Sequence, residues 1–365
     1  MTVYVDHTHL GRHVTGLERI TLELFSREAL APLDITPVTA RGTRRMITRQ
    51  TFGLPLRLAD ASSILLCPGF PPSPLLRPFA TRVIPYIHDI FLLSRPADLN
   101  LRARLYMAPS FRLAVQNYPR FLVNSADTKR KLAAHCRPDA DITLYRPPVR
   151  NVFDLRPDGR TGQIDKATPL RLVALGTVEP RKNFVAAARV LAALRERDFD
   201  DATLEIVGRR GWGDDWNILE QSPGVILHGY QSGDRVRQIL QNADAFICTS
   251  HEEGLGLPLL EAQYAGLPIV APNAAIFREV LDQSGILINP DDPAAAASAI
   301  AAALSEPAWR ASFAVRGAEN LARWNTLAST DRGAVIDLIT ALSERRARAV
   351  RAPAPHSPKK RSIAP

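Results

Sequence analysis

The sequence predicts an α/β protein with two Rossmann-like, doubly wound domains, each built on a parallel sheet. Its 365 residues exceed what one hydrophobic core usually serves, so two domains are expected. Short β-branched runs alternate with amphipathic segments, which is typical of parallel strands joined by right-handed helical crossovers. Over residues 156–168 this alternation gives way to proline, glycine and polar residues, which indicates a linker.

The first domain is predicted to cover residues 1–155. Its expected strands are 2–6, 35–40, 64–68, 83–87 and 121–123, and its expected helices are 17–27, 101–117 and 126–136. Residues 41–50 hold four arginines without a clear period, so a solvated loop is the first interpretation. A contact with an acceptor or with an anionic membrane is the alternative for this segment.

The second domain is predicted to cover residues 169–323. Its expected strands are 170–175, 204–207, 225–227 and the two apolar runs that end near Ser250 and Asn273. Its expected helices are 183–197, 234–243, one that begins near Leu257, 294–304 and 309–322. A further helix is expected from 327 to 348. Residues 349–365 are basic and poor in apolar residues, so they are predicted to be a disordered tail.

A glycine-containing loop follows one of the apolar runs and reads H-E-E-G-L-G-L-P-L-L-E from position 251 to 261. Gly254 and Gly256 permit a tight turn at the end of a strand, so the backbone N–H groups around Leu255 can approach a ligand closely. A helix that begins near Leu257 directs its positive end to the same place. Phosphate is the natural ligand of such a loop.

Two carboxylates stand on either side of this loop, Glu253 and Glu261. Both are expected at the carboxyl edge of the sheet, where open α/β sheets bind ligands and where carboxylates can accept hydrogen bonds from sugar hydroxyls. Arg181 and Lys182 follow another predicted strand and supply the positive charge that a phosphate requires. Together these residues point to a ligand with both phosphate and hydroxyl groups, such as a nucleotide sugar.

At this point the sequence resembles the retaining glycosyltransferases of family 4. The resemblance rests on three segments and extends over roughly residues 1–340: the E-x7-E motif of residues 253–261, the A-G-L-P-I-V run of 265–270, and R-K-N at 181–183. It implies the GT-B fold, in which two Rossmann-like domains face a cleft. It also implies that residues 324–348 form a C-terminal helix that crosses back to the first domain.

The resemblance further implies the roles of individual residues. Glu261 would bind the ribose hydroxyls of the donor, and Glu253 would hold hydroxyls of the donor sugar near the reacting carbon. Arg181 and Lys182 would neutralise the leaving diphosphate. His88 ends an apolar strand and matches a histidine that lies near the sugar and the acceptor, with a structural turn cap as the alternative.

Two glycines are also donor-binding positions by this resemblance. Gly16 matches a glycine that approaches the donor, although a plain helix start behind Thr15 is an equal alternative. Gly176 follows the first strand of the second domain, and the arginine that usually comes next in the family is Thr177 here. This departure puts one of the two diphosphate cations in doubt. Loops 208–212 and 228–230 resemble the nucleobase side of the family's site, or are plain turns.

No cofactor and no metal ion are predicted. The three histidines at positions 7, 9 and 13 suit no single face of a strand or helix, and no acid or cysteine gives them a metal-ligand pattern. The cysteines at 67, 136 and 248 lie far apart and are expected to be free, packed thiols. In the transfer reaction the protein's own cations would take the place of a metal.

The predicted function is the transfer of a hexosyl unit, with a mannosyl unit as one option, from a nucleoside-diphosphate sugar to a glycan or lipid-linked acceptor in cell-surface polysaccharide biosynthesis. The alternatives are a nucleotide-sugar-binding protein with a degenerate site, a GT-B epimerase or phosphorylase, and a Rossmann oxidoreductase. The last lacks the third glycine of the dinucleotide fingerprint, because Leu259 stands there.

Charge and hydropathy bear on partners and location. Residues 1–165 hold 23 Lys and Arg against 14 Asp and Glu, a net +9, which suits an anionic acceptor or a phospholipid surface. No zinc-finger spacing or aromatic-rich basic motif indicates nucleic acid. No apolar run is long enough to span a membrane, and the start of the sequence does not read as a signal peptide. A cytoplasmic protein, peripheral at the inner face of the membrane, is expected.

Overall fold

The computed structural model describes residues 2–11, 15–96, 99, 103–157 and 169–351. Among these, the residues of 1–85 and 333–351 form one compact unit, and those of 86–332 form a second. Most of the predicted linker and of the predicted tail lies outside the described residues. The domain limits that the sequence suggested therefore stay a prediction.

The first sheet has six strands, and every pair of neighbours is parallel. Its strands are β1 (Val3–His7), β2 (Ile35–Thr39), β3 (Ile64–Cys67), β4 (Val83–Ile87), β5 (Arg120–Val123) and β6 (Asp141–Leu144). Their spatial order is β2-β1-β3-β4-β5-β6. Val3 pairs with Ile35 on one side and with Ile64 on the other, so β1 is an interior strand of this sheet.

The second sheet also has six parallel strands and lies wholly within the second unit. Its strands are β7 (Arg171–Leu175), β8 (Thr203–Val207), β9 (Val225–Gly229), β10 (Ala245–Ile247), β11 (Ile269–Pro272) and β12 (Gly285–Ile288). The order is β12-β11-β10-β7-β8-β9, so the direction of strand addition reverses between β7 and β10. Open α/β sheets bind their ligands beyond the carboxyl ends of the strands at such a reversal.

Helices connect the strands of both sheets. They are α1 (Thr15–Phe25), α2 (Thr43–Thr48), α3 (Leu54–Arg57), α4 (Phe91–Ser94), α5 (Ala108–Asn117), α6 (Ala126–Ala133), α7 (Phe184–Arg195), α8 (Asp215–Glu220), α9 (Gly233–Asn242), α10 (Leu257–Gln263), α11 (Ala275–Leu281), α12 (Pro293–Ser305) and α13 (Trp309–Arg351). Residues 49–53 and 103–107 form π-helical turns, and 74–82 and 180–182 form 3₁₀ turns. Among the described residues, no helix is long and apolar enough to cross a bilayer.

The core of the second sheet explains why its strands read as continuous apolar runs. Leu172 and Ala174 of β7 and Ala245 and Ile247 of β10 are each no more than 1% exposed. A parallel strand covered by helices on both faces has no solvent side, so alternation is lost and nearly every position is apolar. This buried centre fixes the carboxyl ends of β7 and β10 side by side.

The segment 43–57 and helix α13 differ from the sequence-based expectation. Residues 43–57 are helical, although a solvated loop was predicted over 41–50, because Met46, Leu54 and, directly after the helix, Leu58 form a buried ridge at helical spacing. The expected helices 309–322 and 327–348 are one continuous helix, α13. Trp324 of α13 is fully buried and donates its indole N–H to the carbonyl of Pro147 at 3.0 Å. The helix continues through residues 323–326, where a break between two helices was predicted.

Two short strands were not expected from the sequence. β6 begins at an exposed aspartate and has only two apolar residues, and β12 begins at a glycine, so neither resembles a strand locally. Both are edge strands, and each pairs over its full length with one neighbour, β6 with β5 and β12 with β11. Pairing between distant segments is invisible to a local pattern.

Candidate functional site

The glycine loop lies at the carboxyl end of β10, as predicted, and leads into α10. Gly256 stands immediately before Leu257, the first residue of α10. Its φ angle of 81° is a left-handed conformation, which glycine adopts without strain. A Cβ on Gly254 would lie 2.0 Å from the carbonyl oxygen of His88. The first glycine is therefore required by a close backbone approach, and the second by the turn itself.

Glu253 is the centre of a buried ionic cluster at this loop. Lys182 Nζ donates to Glu253 Oε1 at 2.6 Å, and Arg181 Nη1 donates to Glu253 Oε2 at 3.3 Å. Ser250 Oγ also donates to Glu253 Oε1 at 2.7 Å. The loop after β7 and the loop after β10 are thus joined through one carboxylate at the point where strand order reverses.

Arg181 is held on three sides. Its Nη2 and Nε groups donate to Glu179 Oε1 at 2.6 and 3.0 Å, and its Nη1 group also reaches the carbonyl of Glu252 at 3.3 Å. Its guanidinium lies over the ring of Phe91, 4.5 Å from the centroid. These contacts fix the orientation of the Arg181 guanidinium. An arginine on the open surface would lack such a fixed orientation.

The ionisation of the cluster follows from these contacts. Burial acts to raise the pKa of Glu253, but Lys182 and Arg181 outweigh burial and hold the pKa below its ordinary value. Glu253 is therefore a carboxylate at neutral pH. For Asp89 the balance is the opposite: burial raises its pKa to about 6, against the opposing effects of the Phe91 N–H and Arg181.

The predicted second carboxylate, Glu261, lies in the second turn of α10. It is 4% exposed, compared with 8% for Glu253, so both members of the E-x7-E motif are buried. A carboxylate withdrawn from water to this extent is a costly feature of a helix unless it has partners or a ligand. Its position on a helix that begins at Leu257 was correctly anticipated from the glycine spacing.

The loop after β7 packs closely on the loop after β8. A Cβ on Gly208 would lie 1.7 Å from the carbonyl oxygen of Gly176, and a Cβ on Gly211 would lie 2.6 Å from that of Val178. Val178 and Arg210 form a parallel bridge between the two loops. Gly176 itself has φ of 147° and would bring a Cβ to 3.3 Å from Lys182 Cε. These glycines allow the loop after β8 to lie against the loop after β7, which carries both Arg181 and Lys182.

The loops resembling the nucleobase side also meet each other. Gly208 N–H donates to the carbonyl of Gly229 at 2.9 Å, and the guanidinium of Arg209 lies 4.6 Å from the centroid of the Tyr230 ring. Tyr230 and Trp212 are both substantially exposed. The exposed ring of Tyr230, stacked with the Arg209 guanidinium, offers a surface on which a planar ligand can stack.

His88 follows β4, as predicted, and its backbone is part of the glycine-loop contact. Its carbonyl accepts from Asn124 Nδ2 at 2.7 Å and is the group that Gly254 approaches. The His88 ring packs edge-on to Tyr86, with centroids 4.7 Å apart. The structure therefore brings His88 and the Glu253 loop together within the second unit.

The start of helix α6 also contacts the glycine loop. Ser125 caps α6 by accepting from the Thr128 N–H, and its hydroxyl lies 3.0 Å from the carbonyl of Gly254. Lys131 Nζ lies 2.8 Å from Glu252 Oε1. Ser250, Phe91 and Glu252 were not singled out from the sequence. Ser250 immediately precedes the loop at the end of the apolar run, which is the one local signal for it.

Gly16 belongs to the first unit, whereas the other predicted site residues belong to the second. It lies in the first turn of α1 and is exposed, and a Cβ added to it would meet nothing within 4 Å. The protein's own packing therefore does not require glycine there. Its role as a donor contact stays a prediction.

The histidine positions carry no metal-binding arrangement among the described residues. No group of three or more His, Cys, Asp or Glu side chains in this part of the chain could hold a metal ion. His9 is buried and its Nε2 lies 2.9 Å from Thr21 Oγ1, while His13 lies outside the described residues. The three cysteines are free thiols, two of them buried.

A family comparison bears on the second half of the chain. Residues 169–306 match the model of the family Glycosyl transferases group 1. This range includes β7 to β12 and every member of the Glu253 cluster.

Two curated relatives are about one third identical to the chain over part of its length. The O-antigen chain mannosyltransferase B of Escherichia coli is 32% identical over 148 residues, which are 39% of this chain and 39% of the relative. The phosphatidyl-myo-inositol mannosyltransferase of Mycobacterium leprae is 33% identical over 160 residues, which are 41% of this chain and 42% of the relative. The chain thus spans about two fifths of the length of these relatives.

Solved structures extend the fold comparison to nearly the whole chain. Sucrose-phosphate synthase from Thermosynechococcus elongatus superposes with a TM-score of 0.68 at 14% identity, over 96% of this chain and 100% of that one. WaaG, a glycosyltransferase involved in lipopolysaccharide biosynthesis, gives 0.59 at 13% identity, over 93% and 100%. The pneumococcal O-GlcNAc transferase GtfA in complex with UDP and GlcNAc gives 0.53 at 16% identity, over 80% and 60%. The chain therefore has the GT-B fold, and the match to the group 1 glycosyl transferase model is confined to its residues 169–306.

Proposed function

We propose that this chain is a retaining glycosyltransferase that moves a hexosyl unit from a nucleoside-diphosphate sugar to a glycan or lipid-linked acceptor. The observation that carries the proposal is the cluster in which Glu253, at the glycine loop, is paired with Lys182 and Arg181. It lies where the strand order of the second sheet reverses, inside the group 1 glycosyl transferase segment. A mannosyl donor is the first to test, because both curated relatives described above are named as mannosyltransferases.

Lys182 is the better candidate for the donor's diphosphate. An ammonium group has three N–H donors, and Lys182 directs one of them at Glu253, so two can reach a phosphate as far as the described residues show. Arg181 already uses Nε, Nη1 and Nη2 on carboxylate and carbonyl oxygens. Its main contribution would be a fixed positive charge close to the leaving group. Such preorganised charge typically lowers a transition-state barrier by a few kcal/mol.

Glu253 would take the sugar side of the donor. A carboxylate offers about four lone-pair sites, and its present partners are the cations and Ser250, so sugar hydroxyls can exchange with one of them. Its lowered pKa keeps it a hydrogen-bond acceptor at neutral pH. Glu261 would bind the ribose hydroxyls, and His88, whose backbone touches the same loop, would orient the sugar or the acceptor.

We also propose that the transfer reaction is independent of metal ions. The diphosphate would be neutralised by Lys182, Arg181 and the N–H groups at the start of α10, so the reaction would need no divalent ion to assist departure of the leaving group. The GtfA structure contains UDP, which supports a nucleoside diphosphate as the product to look for. Cell-surface polysaccharide synthesis is supported by the O-antigen description of one relative.

The test is donor turnover by the purified full-length protein. GDP-mannose, UDP-glucose and UDP-GlcNAc are each incubated with and without EDTA, with water or a simple alkyl glycoside as acceptor, and release of the nucleoside diphosphate is measured. One donor should turn over, its rate should be unchanged by EDTA, and NMR of the product should show the donor's anomeric configuration. Glu253→Gln and Lys182→Met should each lower the rate by about 100-fold or more. Glu220→Gln, the same change on exposed α8, should not.

A nucleotide-sugar-binding protein without turnover is the second candidate function. It is supported by Thr177, which stands where the resembling family has an arginine, and by the pairing of both nearby cations with carboxylates. Titration calorimetry separates the two candidates. A donor that binds in the micromolar range, with binding lost in Lys182→Met, but that is never turned over would favour the binding protein. The absence of both binding and turnover for every donor would contradict both.

A further inference from the structure

A basic helical surface with exposed apolar side chains occupies the segment 41–58 of the first unit. This segment contains five arginines, at 41, 44, 45, 49 and 57, and no acidic residue. Helix α2, a π-helical turn and helix α3 follow one another without a break from Thr43 to Arg57. The segment plays no part in the Glu253 cluster, so it requires an explanation of its own.

The two sides of this helical segment differ sharply. Met46, Leu54 and Leu58 face inward and are at most 8% exposed. On the other side, Ile47 is 53% exposed, Phe52 is 59% exposed and Leu56 is 74% exposed. Ile47 belongs to α2, Phe52 to the π-helical turn and Leu56 to α3, so exposed apolar side chains occur along the whole segment. Three large apolar side chains of one short helical segment are therefore in contact with water.

The arginines of the segment lie among these apolar side chains. Arg44 and Arg45 are exposed in α2, directly before Ile47. Arg49, between Ile47 and Phe52, donates to the carbonyl of Thr39, so its head group is held at the edge of the segment. A helix with basic and apolar residues on its outer side suits the boundary between lipid head groups and acyl chains. A polar partner would leave Phe52 and Leu56 in contact with water or with polar groups that lack a hydrogen-bond partner.

We propose that Ile47, Phe52 and Leu56, together with Arg44 and Arg45, form a docking surface for an anionic lipid bilayer. The apolar side chains enter the boundary below the lipid head groups, and the arginines pair with lipid phosphates. The charge of the segment matches the negative surface of such a bilayer, and each basic residue near that surface strengthens binding about five-fold. The apolar side chains add a contribution that salt does not screen.

Other partners of a basic surface fit these observations less well. A soluble polyanion would engage the arginines but leave three large apolar side chains exposed. A second copy of the chain would bring the same five arginines against themselves without any acidic residue of the segment to neutralise them. An anionic membrane satisfies both the charge and the apolar surface.

The test is sedimentation of the full chain with vesicles of phosphatidylcholine alone and with vesicles containing about one third phosphatidylglycerol. The anionic vesicles should bind the protein and the neutral ones should not. Arg44→Ala/Arg45→Ala should lower the partition coefficient about 25-fold at low salt and by less at 0.5 M salt. Phe52→Ser/Leu56→Ser should lower it at least about 30-fold at either salt concentration.

Matched variants control for charge and apolar content. Arg27→Ala/Arg189→Ala removes two exposed arginines elsewhere, and Leu22→Ser/Val315→Ser removes two exposed apolar side chains elsewhere. Both should bind anionic vesicles within about three-fold of the wild type, and circular dichroism should show every variant folded. The proposal would be overturned if the protein bound neutral and anionic vesicles equally well, or bound neither. It would also be overturned if the control pairs weakened binding as much as the variants of the segment do. So would binding only to a soluble polyanion such as heparin.

Discussion

The carbonyl oxygen of His88 lies 2.0 Å from the point that a Cβ on Gly254 would occupy. The loop that carries Glu253 and the strand end that carries His88 therefore meet backbone to backbone, and only glycine fits between them. No flexible side chain stands at this contact to move aside, since the atom that is met belongs to the main chain. The position of Glu253 depends on this approach.

Gly254→Ala should consequently displace the loop. We expect a loss of stability of about 1–3 kcal/mol from overpacking, together with a loss of donor binding, because Glu253 is the adjacent residue. Urea unfolding and calorimetric titration with the donor measure the two effects. Gly233→Ala is the control, since an added Cβ there meets nothing within 4 Å. Wild-type donor binding by Gly254→Ala would contradict the importance of this contact.

The pairing of Glu253 with Lys182 should appear as a coupling energy. Removal of either partner leaves the other's charge largely buried, so Glu253→Gln and Lys182→Met should each destabilise the protein by about 2 kcal/mol. The double variant should be less destabilised than the sum, with a coupling of about 1–2 kcal/mol from chemical denaturation. Additive effects would show that the two charges contribute independently.

Asp89 should give the stability a distinct dependence on pH. Its pKa is raised from 3.8 to about 6 by burial, so the folded protein holds this proton more tightly than the unfolded chain. The associated stability is present below about pH 4 and is lost as the pH rises towards 6 and above. Because the residue is not fully shielded from solvent, we expect a loss of about 2 kcal/mol.

Asp89→Asn isolates this contribution, because an amide oxygen can still accept the Phe91 N–H but cannot ionise. Relative to the wild type, the variant should be more stable at pH 7.5 than at pH 4.5, as judged by urea midpoints at both values. A difference between variant and wild type that is the same at both pH values would exclude a raised pKa.

Ser125 should contribute more than an ordinary helix cap. Its hydroxyl caps α6 and also lies 3.0 Å from the carbonyl of Gly254, so Ser125→Ala should cost about 2 kcal/mol and should speed amide exchange in residues 252–256. Ser232→Ala, which removes only the cap of α9, should cost about 1 kcal/mol and leave that loop unchanged. Equal effects of the two variants on loop exchange would mean that the Gly254 contact is unimportant.

Much of the fold could be predicted because burial imposes a visible composition. The strands around Leu172 and Phe246 are apolar at nearly every position, and the glycines and carboxylates of the 251–261 loop follow directly after one of them. The helical segment 43–57 was missed because its buried positions Met46 and Leu54 are eight residues apart, and Leu54 lies beyond the arginine-rich stretch 41–50.

The sequence by itself determined the parallel α/β architecture and the set of charged residues placed at the strand ends, because hydrophobic periodicity and glycine spacing are local properties. Only the tertiary structure decided which charges meet: Glu253 pairs with Lys182 and Arg181 across 71 and 72 positions. It also decided that Gly254 touches His88, and that Phe52 and Leu56 face outward. These relations depend on strand order and on which side of a helix is covered, and both are settled by packing between segments far apart in the chain.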